Sequence, residues 1–171
     1  GGATFSPCRA FRYHLWRTWN PARSPLLFVM LNPSTADEER SDRTISRCEA
    51  FARRLGRGGL EVVNLYAYRA TDPRHLRDAG YLVGEQNDAT ILARASAHAG
   101  LPIVCGWGWH ARNLRRAAEV LQLIRRAGAI PHALAFTGDG IPRHPLTLRS
   151  DCTLVPMSCR DEEWEAGSSR Q

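Results

Sequence analysis

Four short apolar runs, separated by segments of helical pattern, constrain the fold of this chain more than any other feature. The runs are residues 26–31 (LLFVML), 60–67 (LEVVNLYA), 102–107 (PIVCGW) and 132–137 (HALAFT). An unbroken apolar run predicts a strand that is buried on both faces, as in a parallel sheet covered by helices. The sequence therefore predicts an α/β fold, a three-layer α/β/α sandwich around a four-stranded parallel sheet.

The segments around these runs predict the remaining elements. Helices are expected over residues 42–55, 84–97 and 112–127, with a short helix capped by residues 34–37 and one or two turns over residues 74–79. The longest helix is amphipathic, and its arginines are expected on the solvated outer side: Arg112, Arg115, Arg116, Arg125 and Arg126.

The two ends of the chain predict additions to the sheet. Alternating polarity over residues 13–18 predicts an extra N-terminal strand near a sheet edge, and residues 153–156 predict a last short strand. We expect one α/β domain over residues 1–160, followed by a flexible polar tail over residues 161–171.

Composition excludes several classes of protein. No apolar stretch is long enough for a membrane span and no secretion signal is evident, so we expect a cytoplasmic monomer that does not bind membranes. The histidines lack ligand-like spacing with carboxylates, and the cysteines form no C-x-x-C pair. We therefore expect neither a metal nor another cofactor. The five cysteines, expected as reduced thiols, are Cys8, Cys48, Cys105, Cys152 and Cys159.

All 23 basic residues are arginine, and the formal net charge is +6. Guanidinium groups form bidentate contacts with phosphate and stack on bases. This excess predicts a polyanionic partner. The lack of lysine excludes a phosphate-binding loop of the G-x-x-x-x-G-K type.

A polar or glycine-containing turn follows each predicted strand. Asn32-Pro33 follows the first, Asn64 lies in the second, Trp107-Gly108 ends the third and His144-Pro145 comes after the fourth. Each also has a structural interpretation, because an Asn before Pro forms turns and a strand Asn can bond a neighbouring loop. In open α/β sheets, however, ligands bind outside the carboxyl ends of the strands. A water-positioning amide and an imidazole in one crevice predict a hydrolytic site.

Three motifs indicate a family: LNPSTAD at residues 31–37, NLYAYRATDP at residues 64–73 and RHPL at residues 143–146. By these motifs the chain is identified as a member of domain-of-unknown-function family 1643. More distantly, the motif order resembles the uracil-DNA glycosylase superfamily, which has a four-stranded parallel α/β/α fold. MLNPS at residues 30–34 is similar to the first motif of that superfamily, and HPLTL at residues 144–148 keeps its final H-P-x-x-L pattern.

The second resemblance implies a DNA glycosylase, a hydrolase that cleaves the N-glycosidic bond of uracil or another altered base. By this resemblance, Asn32 orients the attacking water and His144 stabilises negative charge on the base carbonyl oxygen. Asn64 bonds the extruded base, and Leu148 fills the gap left in the base stack. Ser34 stands where uracil-strict members have a bulky tyrosine, which implies room for a 5-substituted base.

The resemblance also implies DNA, single- or double-stranded, as the partner. No aromatic residue follows closely after Ser34, so Phe51, Tyr66 or Trp107 would stack on the base. Phosphate contacts are expected from four arginines near the crevice: Arg43, Arg69, Arg143 and Arg149.

Two other functions stay open on the sequence. An enzyme of the same fold that acts on free nucleotides, or on modified bases of phage DNA, would use the same residues. A non-catalytic nucleic-acid-binding module that keeps the pocket is the second alternative.

Overall fold

A mixed sheet runs through the computed structural model, which describes residues 1–157. The strands of this part of the chain are β1 (Gly2–Phe5), β2 (Arg12–Thr18), β3 (Pro25–Met30), β4 (Gly59–Asn64), β5 (Pro102–Cys105), β6 (Ile130–Ala133) and β7 (Val155–Pro156). Its helices are α1 (Arg43–Arg54), α2 (Pro73–Asp78), α3 (Asn87–Ala97) and α4 (Arg115–Arg126).

The strand order is β1-β2-β4-β3-β5-β6-β7. Strands β4, β3, β5 and β6 pair in parallel, which confirms the α/β fold and its four parallel strands. The extra N-terminal strand is β2, which pairs antiparallel with β4. The sequence analysis missed β1, a four-residue strand that pairs with β2. The last short strand is β7, which is antiparallel to β6.

Helices cover both faces of the sheet. On one face, α1 packs Ile45, Cys48 and Phe51 against Leu26, Phe28 and other residues of β3, β4 and β5. On the other face, α3 and α4 pack against a second apolar cluster and against each other. The unbroken apolar runs are therefore buried on both sides, as the sequence predicts.

The loop after β3 corrects one prediction, because residues 34–37 do not cap a helix. Backbone carbonyls that a helix would use accept arginine hydrogen bonds instead. Arg12 Nη1 donates to the carbonyl oxygen of Ala36 at 2.8 Å, and Arg17 Nη2 donates to that of Asp37 at 2.6 Å. Helix α1 begins afterwards at its predicted cap, where the Asp42 carboxylate accepts the Ile45 N–H at 2.9 Å.

A second correction concerns α4, where the predicted outer position of Arg116 is wrong. Arg116 is buried, and its Nε donates to the carbonyl oxygen of Leu65 at 2.8 Å. Its terminal nitrogens pair with the carboxylates of Asp88 and Glu119. These acceptors lie just after β4, on α3 and on α4 itself, so helical periodicity alone could not reveal them.

The strand predicted over residues 132–137 is β6, which begins two residues earlier, at Ile130, and ends at Ala133.

No helix within residues 1–157 is long and apolar enough to cross a membrane. The predicted tail over residues 161–171 and Cys159 lie outside the described residues.

Candidate functional site

A cavity of about 540 Å³ opens at the carboxyl ends of the four parallel strands. Strand β3 lies between β4 and β5, and the chain leaves β3 and β5 towards helices on opposite faces of the sheet. This is the switch point of an open α/β sheet, where ligands bind. Six of the predicted site residues line the cavity: Asn32, Ser34, Asn64, Trp107, Arg143 and His144.

Asn64, the last residue of β4, has an unusual environment. The residue is 1% exposed, yet neither Oδ1 nor Nδ2 has a hydrogen-bond partner among the described residues. Leaving a buried polar group unpaired costs about 1 to 3 kcal/mol. Asn64 also lines the cavity, and a ligand that presented one donor and one acceptor would satisfy its amide.

Trp107, which follows β5, repeats this pattern. The side chain is almost fully buried, and its indole Nε1 has no acceptor within the part of the chain that the structure describes. The ring packs in the apolar cluster under α3 and α4 and also borders the cavity. An indole N–H can only donate, so a ligand beside Trp107 gains from presenting an acceptor.

Asn32 is held in one orientation by its neighbours. Its Nδ2 donates to the carbonyl oxygens of Pro33 at 3.0 Å and Ala70 at 2.7 Å. Both amide hydrogens are therefore used, and Oδ1 is the atom left to accept a hydrogen bond at the cavity. A fixed acceptor of this kind can orient a water molecule.

His144 is kept neutral by its surroundings. Burial lowers the pKa of His144, and nearby His110 lowers it further, although Asp42 opposes the shift. Its Nδ1 accepts the backbone N–H of Leu146 at 3.3 Å, so the proton of the neutral ring lies on Nε2. The ring therefore offers the cavity a neutral donor at ordinary pH.

A glycine turn brings His144 against the loop that follows β5. Gly108 has φ +80°, and a Cβ atom there would lie 3.1 Å from the Cβ of His144. The Gly108 N–H donates to the carbonyl oxygen of Pro142 at 3.1 Å and joins the two loops. Only glycine permits both this backbone conformation and this close approach.

The end of β4 is supported from the face that α3 and α4 cover. Asn87 Nδ2 donates to the carbonyl oxygens of both Asn64 and Leu65 at 3.0 Å. Arg116 donates to the same Leu65 carbonyl oxygen. Sequence reasoning missed these support residues, because their partners are backbone atoms of a distant strand.

Other predicted site residues lie elsewhere. Tyr66 packs against Tyr81 in the cluster under α3 and α4, with the two rings tilted by 42° and their centroids 5.2 Å apart. Phe51 is buried in the core beneath α1. Leu148 is 8% exposed in that same core, and its carbonyl oxygen accepts a hydrogen bond from Arg47. The structure therefore does not place these three side chains at the cavity.

The four predicted phosphate-binding arginines divide into two groups. Arg43, Arg143 and Arg149 are exposed, and Arg143 lines the cavity. Arg149 also pairs with Asp151 at 3.4 Å. Arg69 instead donates to the carbonyl oxygens of Ser34 and Thr35 at 3.4 Å each, so its side chain supports the loop after β3.

The cavity has residues that the sequence analysis did not select. Arg12 contributes a buried guanidinium, and His110 lies near His144. Trp109 and Leu146 are 49% and 44% exposed at the cavity. The repeat Trp107-Gly108-Trp109 is a sequence signal that could have indicated Trp109. No sequence signal placed Arg12 at this end of the sheet. Among residues 1–157, no three histidine, cysteine or carboxylate side chains lie close enough together to hold a metal ion.

Taken together, these features define an α/β protein with a cavity at the switch point of its sheet. The model of the family described as "Protein of unknown function (DUF1643)" matches residues 12–146, so the chain belongs to that family. The match spans the sheet from β2 to β6 and includes the cavity residues from Arg12 to Leu146. No curated protein and no solved structure matches the chain significantly.

Proposed function

We propose that this protein is a DNA glycosylase that hydrolyses the N-glycosidic bond of uracil or another altered base. The observation that supports it best is the buried, unpartnered amide of Asn64 in a cavity at the strand ends. The motif order resembles that of the uracil-DNA glycosylase superfamily, and the strand-end positions of Asn32, Asn64 and His144 agree with that resemblance.

The polar groups of the cavity suit an oxo-pyrimidine. Asn64 offers one acceptor and donors, and Trp107 Nε1 and His144 Nε2 each offer one further donor. Uracil presents two carbonyl oxygens and one N–H on its edge. Three side chains that donate, Asn64, Trp107 and His144, and one acceptor, Asn64 Oδ1, match such a base. Ser34 lines the cavity, and by the resemblance it stands in place of a bulky tyrosine, which supports a base with a small 5-substituent as well.

The proposed chemistry needs stabilisation of the leaving base more than a strong nucleophile. A water molecule held by Asn32 Oδ1 forms a bond from its oxygen to C1′ of the sugar. The bond from C1′ to the base nitrogen breaks, and its electron pair leaves with the base. His144 Nε2–H donates to the base oxygen on which the negative charge develops. Solvent takes the proton from the attacking water, because an amide is too weak a base.

Access to the base requires that it leave the helical stack, which costs a few kcal/mol. The exposed apolar side chains of Trp109 and Leu146 line the cavity, and we expect them to fill the gap. Arg43, Arg143 and Arg149 supply exposed positive charge for the strand backbone.

The experiment is base release from oligonucleotides. Single- and double-stranded substrates with uracil, hypoxanthine, ethenocytosine or 5-hydroxymethyluracil are incubated with the protein and treated with alkali, which cleaves abasic sites. We expect strand scission with at least one substrate. His144→Ala is expected to reduce the rate about 100- to 1000-fold, as removal of a donor to a developing oxyanion does.

Matched controls separate the site from the rest of the chain. His132→Ala alters a histidine on β6 that does not line the cavity, and Asn20→Ala alters an asparagine at the opposite end of the sheet. Both should retain scission. Absence of scission from every substrate at enzyme excess would refute the glycosylase proposal, and retained DNA binding would then favour a non-catalytic module.

A further inference from the structure

Arg12 is a buried cation in the cavity. The residue is 3% exposed, although arginine is rarely buried without a charged partner. Among residues 1–157, its guanidinium makes one hydrogen bond, from Nη1 to the carbonyl oxygen of Ala36 at 2.8 Å. A guanidinium has five N–H donors, so most of this group's donor capacity remains for the cavity that it lines.

Burial of this charge is unfavourable in the free protein. Burial lowers the pKa of Arg12 to about 10, and repulsion from Arg69 and Arg17 acts in the same direction. Asp42 and, more weakly, Asp37 oppose the shift, but the Asp42 carboxylate already accepts the backbone N–H groups of Ile45 and Ala36 at 2.9 and 3.4 Å. Arg12 stays protonated at neutral pH, and an anionic ligand would offset the cost of its burial.

Support of the loop after β3 does not explain this buried charge. Arg17 and Arg69 already donate to carbonyl oxygens of that loop, and both are less buried than Arg12. A third arginine for the same purpose would not need to border the cavity. Its position beside a ligand space instead favours a role in binding.

We propose that Arg12 binds the phosphate group of the nucleotide whose base lies against Asn64 and Trp107. The inference rests on the proposed function, because it takes the cavity to hold a base. A cavity of about 540 Å³ lies within the range of pockets that enclose a small ligand, so sugar and phosphate can share it with the base. The planar guanidinium suits the oxygens of a phosphate monoester or diester.

The phosphate could come from two sources, a free nucleotide or a strand. In a strand, Arg12 would contact the backbone beside the extruded nucleotide. In a free nucleotide, it would bind the terminal 5′-phosphate. In both cases Arg12 would differ from the exposed arginines, because a buried side chain can contact only the one phosphate that enters the cavity.

Calorimetric titration tests the proposal with three probes: deoxyuridine, deoxyuridine 5′-monophosphate and a trinucleotide with a central deoxyuridine. We expect at least one phosphate-bearing probe to bind tenfold or more tightly than deoxyuridine. Arg12→Met should remove this advantage and leave deoxyuridine binding unchanged. Arg12→Lys keeps the charge without the planar fork, so an intermediate affinity is expected. Arg17→Met is the matched control, because it weakens support of the same loop and should change no affinity.

The probe that depends on Arg12 identifies the source of the phosphate. If Arg12→Met weakens binding of the monophosphate, the phosphate belongs to a free nucleotide. If it weakens binding of the trinucleotide alone, the phosphate belongs to a strand. The proposal is overturned if no probe binds, if phosphate adds no affinity, or if folded Arg12→Met weakens all probes equally. Free uracil is measured in the same samples. Arg12-dependent phosphate binding, together with absence of scission from every oligonucleotide substrate, would refute the glycosylase activity and leave the phosphate site standing.

Discussion

Two pairs of buried residues, each an asparagine and an arginine, lie around the end of β4 and differ in their partners. The support pair, Asn87 and Arg116, binds backbone carbonyls of Asn64 and Leu65, and Arg116 also pairs with carboxylates. The cavity pair, Asn64 and Arg12, is buried to the same degree. Within the described residues, however, the Asn64 side chain has no partner, and the Arg12 guanidinium has one.

The same residue types therefore contribute differently to stability in the two places. The support pair offsets most of the cost of burial with bonds inside the protein, although Asn87 Oδ1 is a buried acceptor without a partner among the described residues. The cavity pair leaves that cost largely uncompensated in the free protein, and a bound ligand would offset it. Unpaired polar groups of this kind, gathered at the strand ends, are typical of a binding site.

The largest difference is expected between two matched substitutions, Asn64→Leu in the cavity pair and Asn87→Leu in the support pair. Asn64→Leu should lower kcat/KM for base release about 100-fold, because a bidentate contact to a base contributes about 1 to 3 kcal/mol. The same change should raise the free energy of unfolding by about 1 kcal/mol, since it removes two unpaired polar atoms. Base-release kinetics and urea denaturation measure both effects. A clear loss of stability in Asn64→Leu would contradict the comparison.

Substitutions in the support pair should reduce stability and have little effect on ligand binding. Asn87→Leu and Arg116→Met are each expected to lower the free energy of unfolding by about 2 kcal/mol, because both remove donors to buried carbonyls. Urea denaturation gives this value. In the fraction that stays folded, ligand affinity should change less than in Asn64→Leu. If Asn87→Leu were as stable as the unmodified protein, the two pairs would not differ as described.

Two leucines of the same segment extend the comparison to the apolar residues. Leu148→Ala should lower the free energy of unfolding by about 2 kcal/mol or more, because Leu148 is buried in the core beneath α1. Leu146→Ala should leave stability unchanged and slow base release from duplex DNA severalfold, with a smaller effect on single strands. Activity assays on both substrates, beside thermal denaturation, test this. Equal effects on duplex and single strands would argue against Leu146 as the side chain that fills the gap.

The smallest expected effect is the pH response of His144. Its pKa is lowered in the folded protein, so it binds a proton less tightly there than in the unfolded chain. Its contribution to stability is therefore complete above the ordinary histidine pKa of about 6.5 and is lost as pH falls below it. Base release should stay constant above that pH and fall at lower pH, as the neutral donor is lost. An increase in the rate on acidification would indicate a protonated His144 as the active form.

The sequence predicted those parts of the molecule that depend on local signals. The apolar runs indicated β3, β4, β5 and β6, and the turn residues after them indicated that Asn32, Asn64 and His144 would meet. Arg12 could not be predicted at the cavity, because the antiparallel pairing of β2 with β4 places it there.

The difference in burial between Leu146 and Leu148 has a similar cause. The short 3₁₀ helix (Pro145–Thr147) sets which leucine points into the core, and the sequence pattern H-P-x-x-L does not contain that information. The position of Arg116 was missed because its partners, Leu65 and Asp88, come from other elements.

The central claim is that Asn64 and Trp107 leave their polar groups unpaired in order to bind a base. Nuclear magnetic resonance of ¹⁵N-labelled protein observes both groups directly, through the Asn64 side-chain amide and the Trp107 indole N–H. On titration with uracil, hypoxanthine and 5-hydroxymethyluracil, at least one base should shift both signals together, and Asn87 should serve as the unaffected reference. Signals of Asn64 and Trp107 that stay unchanged at saturating concentrations of every base would contradict the account.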